Sequence, residues 1–215
     1  MSRALSLLAL FALACSTPAP APPPVEPPPV EAPAPKPAQT LANLQAAFEG
    51  ESNANAKYTA FAVKADEEGY APVASLFRAA AAAELLHANN HAVVIRAMGA
   101  EPAAVIAEHE VKTTAENLQA AIDGETHEMT EMYPGFIEIA KAEDNMEALR
   151  TFTFALKAEE GHAALYTAIL ADLENQKGEG KTYGICPLCG LTEEVGPEHP
   201  CMVCGTPRDQ FQLIQ

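Results

Sequence analysis

The chain has 215 residues, 18 of them proline, no tryptophan, and a formal net charge of −16. That length leaves room for one medium domain and one small one. The acidic balance, with no basic cluster against it, excludes a nucleic-acid-binding role.

In chain order, Arg3 and the apolar run Ala4–Ala14 come first. The run is too short to span a bilayer and has the length of a signal-peptide core. It ends Ala12-Leu13-Ala14-Cys15-Ser16, which resembles a bacterial lipoprotein cleavage box, although Ala12-x-Ala14 also suits ordinary signal cleavage. The expectation is that residues 1–15 are a signal peptide with Cys15 lipidated. The protein would then be exported and membrane-anchored, facing the periplasm or the cell exterior. Residues 16–39 follow as a Pro-rich linker, with 11 prolines between Pro18 and Pro37. A polyproline segment at ~3.1 Å per residue reaches on the order of 70 Å, so it can act as a spacer.

Four long helices are predicted next. In the first, with Thr40 as N-cap, Leu41, Leu44, Phe48, Glu51, Asn55, Tyr58 and Ala62 fall on neighbouring turns of one face. Gly69 stops it and Pro72 opens the second, which runs to Met98 and carries the alanine run Ala79–Ala83. Residues 99–112 suit a crossover between parallel helices or a short extra helix at 103–109. The third helix opens at Thr113 or Thr114 with Glu116 as capping-box partner and reaches Lys141, kinked at Pro134. The fourth spans Asn145 to Gln176.

Each helix points ionisable groups toward the bundle interior. Glu84-x-x-His87 and Glu159-x-x-His162 are i,i+3 pairs whose side chains share a helix face. Glu51, and Glu128 or Glu125, supply single carboxylates from the other two helices. Buried and unpaired, such carboxylates would cost several kcal/mol each, so a cation is called for. One Glu from each of two helices with Glu-x-x-His from each of two others is the di-iron arrangement of four-helix bundles. Oxygen-rich ligation with two imidazoles suits iron or manganese. Glu131, Glu138, Glu143 and Glu147 read as solvated charge, and His91 as an outer or surface residue.

Cys186-Pro187-Leu188-Cys189-Gly190 and Cys201-Met202-Val203-Cys204-Gly205 form two C-x-x-C-G knuckles, which read as a tetrathiolate metal site. A module of about 35 residues is too small for a self-sufficient core, so metal should be part of its fold. The spacing alone does not separate iron from zinc.

These motifs carry a resemblance to the rubrerythrin family: Gly50-Glu51-Ser52, Glu84-x-x-His87, the segment Gly124-Glu125-Thr126-His127-Glu128-Met129-Thr130-Glu131-Met132-Tyr133-Pro134, and Glu159-Glu160-Gly161-His162. The resemblance implies an all-α, ferritin-like four-helix bundle over 40–178, followed by a small metal-stabilised rubredoxin-like β/loop domain over 180–215. Its implied cofactors are two non-haem irons, held by Glu51, Glu84, His87, Glu125, Glu128, Glu159 and His162, and one Fe(Cys)4 iron on Cys186, Cys189, Cys201 and Cys204. One iron is expected to exchange Glu128 for His87 on reduction, while Tyr58 and Tyr133 hydrogen-bond to ligand carboxylates. Tyr183, Ile185 and Phe211 would form the small domain's core. The implied activity is reduction of hydrogen peroxide, with electrons from an unidentified donor relayed through the cysteine-bound iron. A homodimer is also implied, in which one subunit's small domain approaches the other's di-iron site. The alternatives are a ferritin-like Fe(II)-oxidising, iron-sequestering protein and a zinc-ribbon binding module on a structural bundle.

Overall fold

The computed structural model describes residues 39–195 and 199–215. The leader and tether read into the N-terminus lie outside the described residues, except Gln39, which is already helical.

Helix α1 (Gln39–Glu67) and helix α2 (Ala71–Ala97) form an antiparallel hairpin. Gly69 turns the chain at φ +81°, and Pro72 opens α2 where a missing N–H costs nothing. Ala79, Ala80 and Ala83 of α2 have no exposed surface, and Asn55 of α1 donates to the Ala81 carbonyl at 2.6 Å. Small side chains let the two backbones come this close. At the start of α1 the cap differs from expectation. The amides of Gln39 and Thr40 donate to the Glu143 carboxylate at 2.9 and 3.0 Å, so Glu143 is a helix-end partner as well as an exposed charge. Free first-turn N–H groups and the positive end of the helix dipole both favour that carboxylate.

No helix forms over 103–109. Residues 100–113 run extended along α1, and the side chains of Gln45, Glu49 and Asn53, one turn apart, hold them there. Gln45 bonds Glu101 O and Ala103 N, Glu49 bonds Val105 N, and Asn53 bonds Val105 O and Ala107 N. This strap is the expected crossover. It delivers Thr113, the N-cap and capping-box partner of Glu116, to the end of the bundle where α2 begins.

The third bundle helix is three pieces: α3 (Thr114–His127), a π-turn over Glu128–Met132, and α4 (Tyr133–Ala142). The kink expected at Pro134 is replaced by this π-turn, in which the Tyr133 amide bonds Glu128 O, five residues back. The fourth, α5 (Met146–Ala171), is capped by Asn145 on the Ala148 amide and ends before Gln176, giving way to a 3-10 turn at Leu173–Asn175.

Beyond it, β1 (Tyr183–Ile185) lies between β2 (Thr192–Glu194) and β3 (Gln212–Ile214), antiparallel to both. Phe211 packs with the cysteines. Tyr183 and Ile185 instead join the bundle's cluster of Tyr58, Phe61, Phe77 and Tyr166. Three-residue strands cannot bury two faces of their own, so β1 borrows the helical core.

Candidate metal centre

Between that aromatic cluster and a second one built on Tyr133 and Phe152, the bundle core turns polar. Glu51, Glu84, His87, Glu125, Glu159 and His162 are each at most 1% exposed. They form two interlocked quartets: Glu51, Glu84, His87 and Glu159, and Glu84, Glu125, Glu159 and His162. Within each quartet one ligand atom per residue lies within 4.8 Å of the others. Glu84 and Glu159 belong to both, as bridging carboxylates would.

The two imidazoles are placed alike. His87 Nδ1 lies 3.1 Å from Glu84, 3.3 Å from Glu159 and 3.9 Å from Glu51. His162 Nδ1 lies 2.8 Å from Glu159, 3.2 Å from Glu84 and 3.8 Å from Glu125. Each histidine thus aims Nδ1 at its own helix's glutamate and at the other helix's. Glu128 joins neither quartet; it sits partly buried at the start of the π-turn. The arrangement has His87 turned in and Glu128 out.

Tyr58 donates to Glu125 at 2.6 Å, and Tyr133 donates to Glu51 Oε1. Glu51 Oε2, Glu84 Oε1 and Glu159 Oε1 are buried with no hydrogen-bond partner. Glu84 Oε1 and Glu159 Oε1 have only an imidazole Nδ1 near them, of His162 at 3.2 Å and of His87 at 3.3 Å, and Glu51 Oε2 has nothing. Buried carboxylates this poorly satisfied, beside two imidazoles, fit a pair of cations.

The electrostatics have the same cause. Burial, then the charges of Glu84 and Glu159, pushes Glu51 well above the usual carboxylate range, and the same groups in reverse order do so for Glu125. Burial with the Glu159 and Glu84 charges takes Glu128 up to about 8. Burial disfavours charge on the histidines, yet their carboxylate partners outweigh it and raise His87 and His162 to about 10. His91 has no carboxylate bonded to it, and burial with the nearby His87 lowers it to about 3.

The cysteines form the second centre. Cys186 and Cys204 have sulfurs 3.4 Å apart, as do Cys189 and Cys201. A disulfide would need about 2.05 Å. Four thiolates around one metal at ~2.3 Å would have edges of roughly 3.8 Å, close to what is seen. Gly190 and Gly205 turn each knuckle at φ +77°, their amides returning to Cys186 O and Cys201 O at 3.0 and 2.9 Å. The Cys189 thiol and the amides of Cys189 and Leu188 lower Cys186 to about 4, against a smaller effect of burial.

The two centres touch through the histidines. His87 Nε2 lies 3.1 Å from the Cys189 carbonyl, and His162 Nε2 lies 3.1 Å from Thr192 Oγ1. Arg78 donates to Gln215 O and Asn90 to Leu188 O, fastening the module to α2. In the single chain described the module lies against its own bundle; the approach that the resemblance implies is the same one made between two subunits.

Sequence reasoning missed Thr192 as a histidine partner and left His91 either just behind the ligands or at the surface; the structure puts it behind the ligands. His91 has no exposed surface; it lies 3.3 Å from Tyr133 Oη and 3.1 Å from Thr151 Oγ1. A signal was present. His91 is two turns from Glu84, and Thr151 two turns from Glu159, so each shares its helix's ligand face. His127, by contrast, is exposed and faces Glu131.

Comparison with known proteins agrees with this geometry. The sequence profile described as rubrerythrin matches residues 42–170. Nigerythrin of Nitratidesulfovibrio vulgaris is 39% identical over 174 residues, covering 80% of this chain and 85% of that protein. Rubrerythrin-2 of Clostridium acetobutylicum is 37% identical over 183 residues, covering 83% and 98%. Among solved structures, nigerythrin in its fully reduced, all-ferrous state superposes with a TM-score of 0.76 at 36% identity, over 86% of this chain and 90% of that one.

Proposed function

The chain belongs to the rubrerythrin family, and from that premise we propose that it is a peroxidase, reducing hydrogen peroxide to water at the di-iron cluster with electrons relayed through the Fe(Cys)4 centre. The observation that carries this reading is the His87–Cys189 contact. An imidazole that faces one metal site with Nδ1 and donates through Nε2–H to a carbonyl of the other gives electrons a short bonded path. Iron sequestration has no use for such a path.

Bound iron would supply the two electrons that break the O–O bond. The protein residues do the rest. Glu84 and Glu159, shared by both quartets, are the residues that would hold both metals. Tyr58 and Tyr133 fix the outer oxygens of Glu125 and Glu51, so these carboxylates keep one orientation. Conversion of peroxide to two waters consumes two protons. Glu128, a partly buried carboxyl at the start of the π-turn, stands beside the cluster outside both quartets and is placed to give one. The aromatic clusters on both sides exclude bulk water from the carboxylates.

The leader ending at Cys15 supports an exported, lipid-anchored enzyme fed by a donor outside the cytoplasm. The test of function is to reduce the iron-loaded protein anaerobically and mix it with peroxide. Fast stoichiometric reoxidation of both centres is the expected result. Slow reaction with peroxide beside rapid Fe(II) uptake would replace this reading with iron storage.

A further inference from the structure

Behind Glu51 and its partner Tyr133 stand two polar side chains, His91 and Thr151, that the di-iron reading does not use. Tyr133 has no exposed surface, and its hydroxyl carries one proton, which it donates to Glu51 Oε1. His91 Nε2 lies 3.3 Å from the same hydroxyl, and His91 Nδ1 lies 3.1 Å from Thr151 Oγ1. With the phenol proton committed to Glu51, the phenol oxygen can only accept, so His91 must carry its hydrogen on Nε2. Nδ1 is then an acceptor, and the Thr151 hydroxyl is its donor. Every bond in the row Thr151, His91, Tyr133, Glu51 therefore points the same way. With Glu51 ionised, as a metal ligand is, the other tautomer would set the Tyr133 proton toward His91 and leave two acceptor oxygens facing each other at Glu51.

The bonding of Thr151 is specific. Thr153 and Thr167, on the same helix, donate back to helix carbonyls four residues earlier, at 2.7 Å each. Thr151 turns to His91 instead. At the far end, Glu51 Oε1 is occupied while Oε2 is buried without a partner.

We propose that His91 and Thr151 are positioning residues for the di-iron centre, fixing the Tyr133 hydroxyl as a donor to Glu51 Oε1 and so committing Glu51 to bind metal through Oε2 alone. A phenol donating to the non-ligating oxygen draws electron density from the carboxylate. Glu51 becomes a weaker donor to ferric iron, and the position that a two-oxygen grip would occupy stays open. The proposal rests on the di-iron reading of the quartets and not on which oxidant they reduce.

Two measurements test it on the full-length protein. In zinc-exchanged protein labelled with 15N-histidine, His91 should show a single neutral tautomer protonated at Nε2, and Thr151→Val, nearly isosteric, should populate the Nδ1–H form. A wild-type proton on Nδ1, or a T151V spectrum identical to wild type, overturns the proposal. In iron-loaded protein, His91→Phe should lower the di-iron midpoint potential, because a Glu51 relieved of the fixed phenol donor binds ferric iron more strongly. His91→Gln, which can offer an N–H at the same place, should return it toward wild type. A wild-type di-iron centre whose potential ignores H91F overturns the positioning role alone. Failure of the wild type to hold two irons overturns the underlying di-iron reading and the proposal with it.

Discussion

Gly190 meets two demands at once. Its φ of +77° is a conformation that a side chain strains, and a Cβ built there would lie 2.1 Å from His87 Nε2. Gly205 has the same φ in the second knuckle with nothing within 4 Å of its Cβ position. The pair therefore separates backbone strain from close approach. Gly205→Ala should cost about 1–2 kcal/mol in the module and leave the two centres coupled. Gly190→Ala should cost more and push the Cys189 carbonyl off His87. In rapid mixing with peroxide, G190A should keep the di-iron reoxidation phase and slow reoxidation of the cysteine-bound iron by tenfold or more. Equal slowing in both variants would mean that strain, not the His87 contact, governs the relay. A further residue-scale outcome concerns Glu125, which accepts from Tyr58 at 2.6 Å. Tyr58→Phe should reduce metal affinity ~10–100-fold, read by chelator competition.

At the scale of elements, the strap over residues 100–113 shows how a segment without periodicity finds its path. Asn53 both donates to Val105 O at 3.0 Å and accepts from Ala107 N at 2.8 Å. Asn53→Ala should remove both bonds and destabilise the protein by about 1–2 kcal/mol in urea unfolding, with the metal sites intact. Unchanged stability would mean that the strap follows α1 without these anchors. The helices themselves were legible because apolar spacing, Gly69, Pro72, Gly99, Thr113 and Asn145 are local signals. The strap was not, because its acceptors and donors sit on α1, some 50 residues earlier. The π-turn was only half legible. Pro134 announces a missing donor, but whether a helix kinks or inserts a wider turn depends on what Glu128 and Tyr133 meet in the core. The ligand quartets were readable from i,i+3 pairs, whereas their contact with the cysteine module depends on where a short connection folds back.

For the whole molecule, the cluster ties stability to pH and metal together. After chelation, the native state keeps protons that the unfolded chain gives up. His87 and His162 are raised from 6.5 to about 10. Their contribution is complete below pH 6.5 and is lost as pH rises through about 10. Glu51, Glu125 and Glu128 are raised from 4.5, Glu128 to about 8, so unfolding releases their protons above pH 4.5 and stability again falls as pH rises. Glu84 and Glu159 are lowered, so what they contribute is present above pH 4.5 and is lost on acidification below it. His91 and Cys186, both lowered, act the other way below pH 6.5 and 9.0, but they are outnumbered by the three raised carboxyls and two raised histidines. Across pH 5.5 to 8.5 the unfolded chain therefore binds fewer protons than the native one, and the slope of stability against pH is negative. Metal reverses this slope, because cations displace those protons and bind more tightly as pH rises. Chelated protein should therefore melt at a higher temperature at pH 5.5 than at pH 8.5, and iron-loaded protein should show a stabilisation over the chelated form that grows across the same interval. Calorimetry of both forms decides it. A chelated protein whose melting temperature is flat or rises with pH would show that the buried carboxylates and histidines do not hold those protons in the folded state.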